Sequence, residues 1–177
     1  MKVRDIMTDK PKYCGPDTNL AAATELMWTN DCGALPVVED GKLTGIVTDR
    51  DVCVAVGTRN CRPSETTVKE VATRAVQTCT PDDDVHTAMA IMRRAKVRRL
   101  PVIEDGKLAG ILTLNDIILA AEHKYASLDY DEVVMSTMKA VSEHSGEKPA
   151  APSVAPPHWP PIPAVAAEAR SLAVGGS

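Results

Sequence analysis

Apolar residues recur along this chain in two rhythms. Leu20, Ala23, Leu26 and Met27 keep the three-to-four spacing of a single helix face, and Val85, Ala88, Ile91 and Met92 keep it a second time. The spacing predicts a helix over 19–30 and another from Val85 onward. Asp17-Thr18 and Asp82-Asp83-Asp84 are placed to supply capping oxygens and an acidic first turn. After each helix the rhythm changes to short runs rich in Val, Ile and Leu. Residues 34–39 and 43–48 flank Asp40-Gly41, and residues 99–104 and 107–113 flank Asp105-Gly106. Asp-Gly between two apolar runs predicts a β-hairpin, because a type I′ turn needs positive φ at both central residues. A helix is expected after each hairpin, over about 49–56 and from Leu114 to about 127. A further helix is expected from Asp129 to about 145, carrying Val133, Val134, Met138 and Val141.

The two rhythms are one unit written twice, and each copy reads strand, helix, strand, strand, helix. Shifted by 65 positions, residues 3–55 match residues 68–120 at 20 of 53 positions without an insertion. Leu35-Pro36-Val37 falls on Leu100-Pro101-Val102, Gly45-Ile46 on Gly110-Ile111, Thr48 on Thr113 and Asp51 on Asp116. This divides the chain into a first unit (1–56), a linker (57–67), a second unit (68–122), a helical extension (123–145) and a tail (146–177). The tail holds 7 of the 13 prolines and few large aliphatics. Such a composition buries too little apolar surface to offset its ordering entropy, so the tail is expected to be disordered. Pro156-Pro157-His158-Trp159-Pro160-Pro161 would be its candidate ligand segment for a partner groove.

The Asp-Gly hairpin followed by Gly-Ile-Val-Thr-Asp-Arg-Asp, twice over, closely resembles the CBS domain, named for cystathionine β-synthase. Two copies in tandem resemble a Bateman module, and the resemblance covers about residues 2–122. It implies an α+β fold: two tandem CBS units (β-α-β-β-α) packed around a pseudo-two-fold axis, here with a C-terminal helix and a disordered tail. It also implies that clefts between the units bind an adenosine-containing ligand such as AMP, ADP, ATP or S-adenosylmethionine. In the family an apolar-x-apolar-Pro stretch presents backbone groups to the adenine edge. The matching residues are Ala34, Leu35 and Pro36 in the first copy and Arg99, Leu100 and Pro101, preceded by Arg98, in the second.

The residue chemistry agrees with that expectation. Thr48 ends a strand and Asp51 lies in the first turn of the next helix, so both side chains can face one cleft; Thr113 and Asp116 repeat the arrangement. A carboxylate accepts hydrogen bonds from the vicinal ribose hydroxyls, and a threonine hydroxyl with helix N-terminal amides suits a phosphate. The same four residues would also serve simply as helix caps, and the two roles are compatible. Arg98 and Arg99 stand in the most basic stretch of the chain, after Arg93, Arg94 and Lys96, and a guanidinium binds phosphate bidentately. Arg93, Arg94 and Lys96 equally complement a helix C-terminus. Arg50 has no basic counterpart, because the second copy reads Thr113-Leu114-Asn115-Asp116. The two clefts are therefore expected to differ.

Composition narrows the remaining classes. Phe is absent, aromatics are 3%, and the net charge is −4 from 20 basic and 24 acidic residues. The core must be aliphatic, adenine must be held by aliphatic walls and backbone, and nucleic acid is not the expected partner. At 177 residues the chain is too short for a (β/α)₈ barrel. No apolar run approaches a membrane span or a signal peptide, so a cytoplasmic protein without membrane attachment is expected. The five cysteines contain no Cys-x-x-Cys pair and read as small buried residues, while the four histidines are scattered; no metal site is expected. Nothing resembles a nucleophile and base pair or a phosphate loop, so catalysis is not expected. The sequence thus points to a regulatory adenine-nucleotide sensor that forms a homodimer and acts on a regulated protein. The alternative is a dimerisation or interaction module with vestigial clefts, of the stress-response kind.

Overall fold

The computed structural model describes residues 1–124 and 128–142. Each half contains a helix, a hairpin and a second helix. The first half holds α1 (Leu20–Thr29), β2 (Ala34–Glu39), β3 (Lys42–Thr48) and α2 (Asp49–Arg59), after a two-residue strand β1 (Thr8–Asp9). The second holds α3 (Val85–Ala95), β4 (Arg99–Glu104), β5 (Lys107–Thr113) and α4 (Leu114–Lys124), followed by α5 (Leu128–Ser142). Both hairpins close through the expected positive φ pair: 49° and 77° at Asp40-Gly41, 50° and 75° at Asp105-Gly106. Both carry a bulge at the same place, between Val37 and Val38 and between Val102 and Ile103.

Several local expectations are corrected. The cap of α1 is Asn19, whose side-chain oxygen accepts from the Ala22 amide at 2.8 Å; Asp17 and Thr18 stand too early for that geometry. Asp84 caps α3 as anticipated. Helix α2 runs three residues beyond Val56 into the predicted linker, ending at Arg59 with Asn60 in the left-handed conformation. The strand expected to open each copy shrinks to one bridged residue, Cys14 beside Val37 and Cys79 beside Val102. Helix α4 ends at Lys124; the expected end near 127, the last residues of the extension and the tail at 146–177 lie outside the described residues.

Two aliphatic cores form, and each borrows from the other half. Leu20, Ala23, Met27, Leu35, Val37, Val47, Val52 and Ala55 build the first, joined by Val68 from the start of the second repeat. Val85, Ala88, Met89, Met92, Leu100, Val102, Leu112 and Ile117 build the second, joined by Val3 from the start of the first. Both borrowed valines are fully buried in short 3₁₀ turns, Val3–Asp5 and Val68–Glu70. The strands cross over in the same way. Thr8 and Asp9 pair with Ile111 and Gly110 of the second hairpin, and Thr73 pairs with Ile46 of the first through two bonds of 3.0 and 2.9 Å. Glycine is required where these strands arrive. A Cβ on Gly110 would lie 2.6 Å from Met7 Sδ and 3.0 Å from the Thr8 carbonyl, and one on Gly45 would lie 3.1 Å from the Thr73 carbonyl. The repeat units of the sequence are therefore not the packing units of the fold.

Candidate functional site

Strand register brings the predicted residues together at the open end of each hairpin. Ala34 pairs with Thr48, and Arg99 with Thr113. Leu35 and Leu100 point into the cores and are completely buried. Alternation puts Ala34, Pro36, Ile46 and Thr48 on the opposite sheet face, and Arg99, Pro101, Ile111 and Thr113 on its counterpart. The side chains of Leu35 and Leu100 thus belong to the cores, while the role expected of this stretch is one for its backbone groups. The carbonyls of Pro36 and Pro101 already accept from Cys14 and Cys79 at 3.1 and 3.2 Å.

Thr48 and Asp51 form a complete capping box at the start of α2. Asp51 Oδ2 accepts from the Thr48 amide at 2.9 Å and its hydroxyl at 2.7 Å, while the Asp51 amide donates to Thr48 Oγ1 at 3.2 Å. Thr113 and Asp116 repeat this with distances of 2.7, 2.7 and 3.2 Å. Each threonine has therefore spent its hydroxyl hydrogen on its own aspartate. Thr48 and Thr113 thus stand as the helix caps that their spacing also allowed. The aspartates retain one resource: among the described residues nothing bonds to Oδ1 of Asp51 or Asp116, and a carboxylate oxygen with two lone pairs can accept two hydroxyl donors.

The helix starts differ in their amides. At α2 the Asp49 amide donates to Gly33 O at 3.4 Å and the Arg50 amide to the Asp49 carboxylate at 2.7 Å, so each of the first amides is engaged. At α4 the Leu114 amide donates to Arg98 O at 3.0 Å, but position 115 has no such acid before it and its amide has no partner among the described residues. The second start therefore keeps a free N–H on the positive end of the helix.

Arg99 crosses between the halves. Its Nη2 lies 3.1 Å from where a Cβ on Gly33 would stand, and Asp49 Oδ2 lies 3.0 Å from the same point. The guanidinium of one repeat thus stands beside Gly33 of the other, where a Cβ would need the ends of the Arg99 and Asp49 side chains to shift by a few tenths of an ångström. Gly33, Asp49 and Asn115 are contributors that the repeat alignment did not single out; the mismatch at those positions was the available signal. Thr8 and Thr73 also escaped notice, because only strand exchange brings them beside Ile111 and Ile46. Arg50 and Arg98 are exposed. Arg93 closes the end of α3 and donates to Ser136 Oγ at 3.0 Å, in keeping with a structural role. Two open clefts of about 330 and 350 Å³ lie around Arg74 and Thr44; neither is lined by a predicted site residue.

The thiols of Cys14 and Cys79 are pushed up by burial, to about 11 and about 12, with the charge of Asp83 adding to the second. All five cysteines are free. Among the described residues no group of three His, Cys, Asp or Glu side chains could hold a metal ion, and no helix is long and apolar enough to cross a membrane.

Two βαββα-type halves with exchanged leading segments and paired Thr-x-x-Asp boxes define a tandem repeat module, and the comparisons name its class. The model of the CBS domain matches residues 3–57 and again 68–123, and the chain belongs to that family. It is 31% identical over 142 residues to Hypoxic response protein 1 of Mycobacterium tuberculosis, covering 78% of this chain and 97% of that one. Among solved structures it resembles the CBS domain pair of protein MJ0100 in complex with 5-methylthioadenosine and S-adenosyl-L-methionine. There the TM-score is 0.63 at 28% identity, over 70% of this chain and 98% of that one. It also resembles CBSX2 in complex with AMP, with a TM-score of 0.61 at 28% identity, over 68% and 96%.

Proposed function

We propose that this protein is a non-catalytic regulatory sensor that binds an adenosine-containing ligand between its halves and acts on a partner protein through the resulting change of conformation. The observation that carries the reading is the pair of capping boxes, each leaving one aspartate oxygen uncommitted at the open end of its hairpin. Asp51 and Asp116 accept the ribose hydroxyls through Oδ1 while Oδ2 holds the helix start. Phosphate recognition falls to Arg99, with Arg98 and the free amide of Asn115, rather than to Thr48 and Thr113. This favours AMP, ADP or ATP at the second repeat. The first repeat has Gly33 and Ala34 where the second has Arg98 and Arg99, and Asp49 at its helix start, so an uncharged or cationic adenosine such as S-adenosylmethionine suits it better. The ligands carried by the MJ0100 and CBSX2 structures support both choices of chemistry.

Binding has a route to a change of shape because Arg99 belongs to one half and lies against Gly33 of the other. A phosphate that draws the guanidinium away binds one arrangement of the halves better than the other, which is the condition for a ligand to shift an equilibrium. Isothermal titration calorimetry with AMP, ADP, ATP and S-adenosylmethionine tests the reading. Nucleotide extracted from the purified protein and identified by mass spectrometry tests it independently. Absence of heat with all four at millimolar concentration would assign the clefts as vestigial and leave the interaction module as the function.

A further inference from the structure

The two hairpins can be compared place by place near their turns, on the face that Leu35 and Val37 share with Glu39 and away from Thr48. In the second half this place is filled from within. The Met7 side chain packs on the second core and lies over Gly110, its Sδ 2.6 Å from where a Cβ would stand. Beside it Arg4 bonds to Asp82 at 2.7 Å and reaches Glu104 at 3.8 Å, so both carboxylates have a cation. The first half is built differently. Ala72 replaces Met7 and meets the Gly45 position only through its Cβ, at 3.4 Å, and a cleft of about 330 Å³ opens there. Lys69, the match of Arg4, bonds to Asp17 at 2.6 Å and not to Glu39, the match of Glu104. Among the described residues the Glu39 carboxylate has no hydrogen bond or ion pair, and neither has the guanidinium of Arg74, which stands where the second half has Asp9. Both line the cleft.

We infer that this cleft binds a small zwitterion, an α-amino acid with an unbranched apolar side chain such as methionine, at a site separate from the nucleotide clefts. The second half shows what the place accepts: a methionine side chain over the sheet and a cation near the glutamate. In the first half the free amino acid supplies both. Its side chain lies over Val37, Gly45 and Ala72, its ammonium donates to Glu39, and its carboxylate accepts from the Arg74 guanidinium, which suits a bidentate acceptor. A wholly anionic ligand would be repelled by Glu39 and a wholly cationic one by Arg74, so the pair selects for a molecule carrying both charges. The volume agrees, since it lies near the lower bound of ligand pockets, about 300–1,000 Å³, where a metabolite of amino-acid size fits better than a nucleotide. Glu39 belongs to the first hairpin, whereas Ala72 and Arg74 flank Thr73, the residue of the second repeat bonded to Ile46. The ligand therefore spans the joint between the repeats.

Isothermal titration calorimetry on the full chain with L-methionine and L-norleucine, in the absence of nucleotide, tests this. Both are expected to bind at millimolar concentration, while methionine methyl ester, which lacks the carboxylate, and 3-(methylthio)propionate, which lacks the ammonium, bind more weakly. Ala72→Met, which gives the first half the side chain that the second already accommodates, is expected to abolish binding with unchanged circular dichroism. Glu39→Gln and Arg74→Gln, both at exposed positions, are each expected to weaken methionine by about 3- to 10-fold, so the test survives a folding failure of Ala72→Met. A wild type that gives no heat with methionine or norleucine overturns the proposal, as does methionine binding that persists unchanged in Ala72→Met or in both glutamine variants. Binding of a peptide with an internal methionine, but not of the free amino acid, also overturns it and gives the cleft to a protein partner.

Discussion

Replacing Asp116 by asparagine separates the two duties assigned to that side chain. In the structure Oδ2 accepts the Thr113 amide and hydroxyl, both at 2.7 Å, while Oδ1 has no partner among the described residues. An asparagine keeps a carbonyl oxygen for the capping box, so Asp116→Asn is expected to cost less than the ~1 kcal/mol of a lost cap. The amide group takes the place of Oδ1 and presents donors where two hydroxyl donors would arrive. A hydrogen bond to a charged acceptor is worth about 1.5–3 kcal/mol. At 1.4 kcal/mol per tenfold, AMP binding should weaken by about 10- to 150-fold. Asp51→Asn should weaken AMP less, because the α2 start has no free amide to favour a phosphate there. Calorimetry gives the affinities, and thermal unfolding of Asp116→Asn beside Asp116→Ala gives the cap. If Asp116→Asn and Asp51→Asn both bind AMP as the wild type does, while Asp116→Ala lowers only the melting temperature, the carboxylates are caps and nothing more.

Gly110→Ala is expected to destabilise the protein by about 1–3 kcal/mol in urea unfolding, because its Cβ meets Met7 Sδ and the Thr8 backbone. Gly45→Ala, with its nearest atom at 3.1 Å, should cost less; the reverse order would contradict the strand exchange described. Asp84 is held at about 2, below its ordinary 3.8, first by the His86 amide and then by the His86 ring, both at 2.9 Å. A carboxyl depressed in the folded state contributes stability above its unfolded pKa and loses it as pH falls through the folded one. Asp84→Asn should therefore flatten the decline of melting temperature between about pH 4 and pH 2, and an unaltered slope would refute the assignment. Iodoacetamide at pH 8, read by peptide mass spectrometry, should modify the exposed Cys53 while leaving Cys14 and Cys79 untouched, since burial keeps both as thiols. Native labelling of Cys79 at the rate of Cys53 would count against that burial.

Much of the local structure was legible because it rests on short-range rules. Asp40-Gly41 and Asp105-Gly106 dictate their turns whatever surrounds them, and the 3.6-residue stripes of α1 and α3 follow from apolar spacing. Thr48 and Asp51 could be placed at a helix start from three positions of spacing. What stayed hidden depends on contacts between distant residues. Val3 and Val68 read as the opening of their own repeats, and nothing local says that each completes the other core. The apolar-x-apolar-Pro pattern gives no strand register, so the direction of the Leu35 and Leu100 side chains could not be read; once Leu35 faces Val47, its side chain must enter the core. The capping role of the two threonines could be read from spacing, but which aspartate oxygen takes each bond could not, since a hydrogen-bond inventory needs geometry. The reach of Arg99 to Gly33 depends on how two halves meet, which spacing within either half cannot reveal.

The exchange of leading segments also has a consequence in time. A ribosome adds about 5–20 residues per second and releases the chain from its N-terminus. The first half cannot close its core when residue 59 emerges, because Val68 and Thr73 have still to be made. Val3, already synthesised, must wait longer, since its pocket is built from Val85 to Ile117. Neither half is a finished object while the other is missing, so the nascent chain carries an open aliphatic surface across the whole interval between the two repeats. The interlock that makes the module a single body therefore sets a minimum length below which no fragment of it has a complete core.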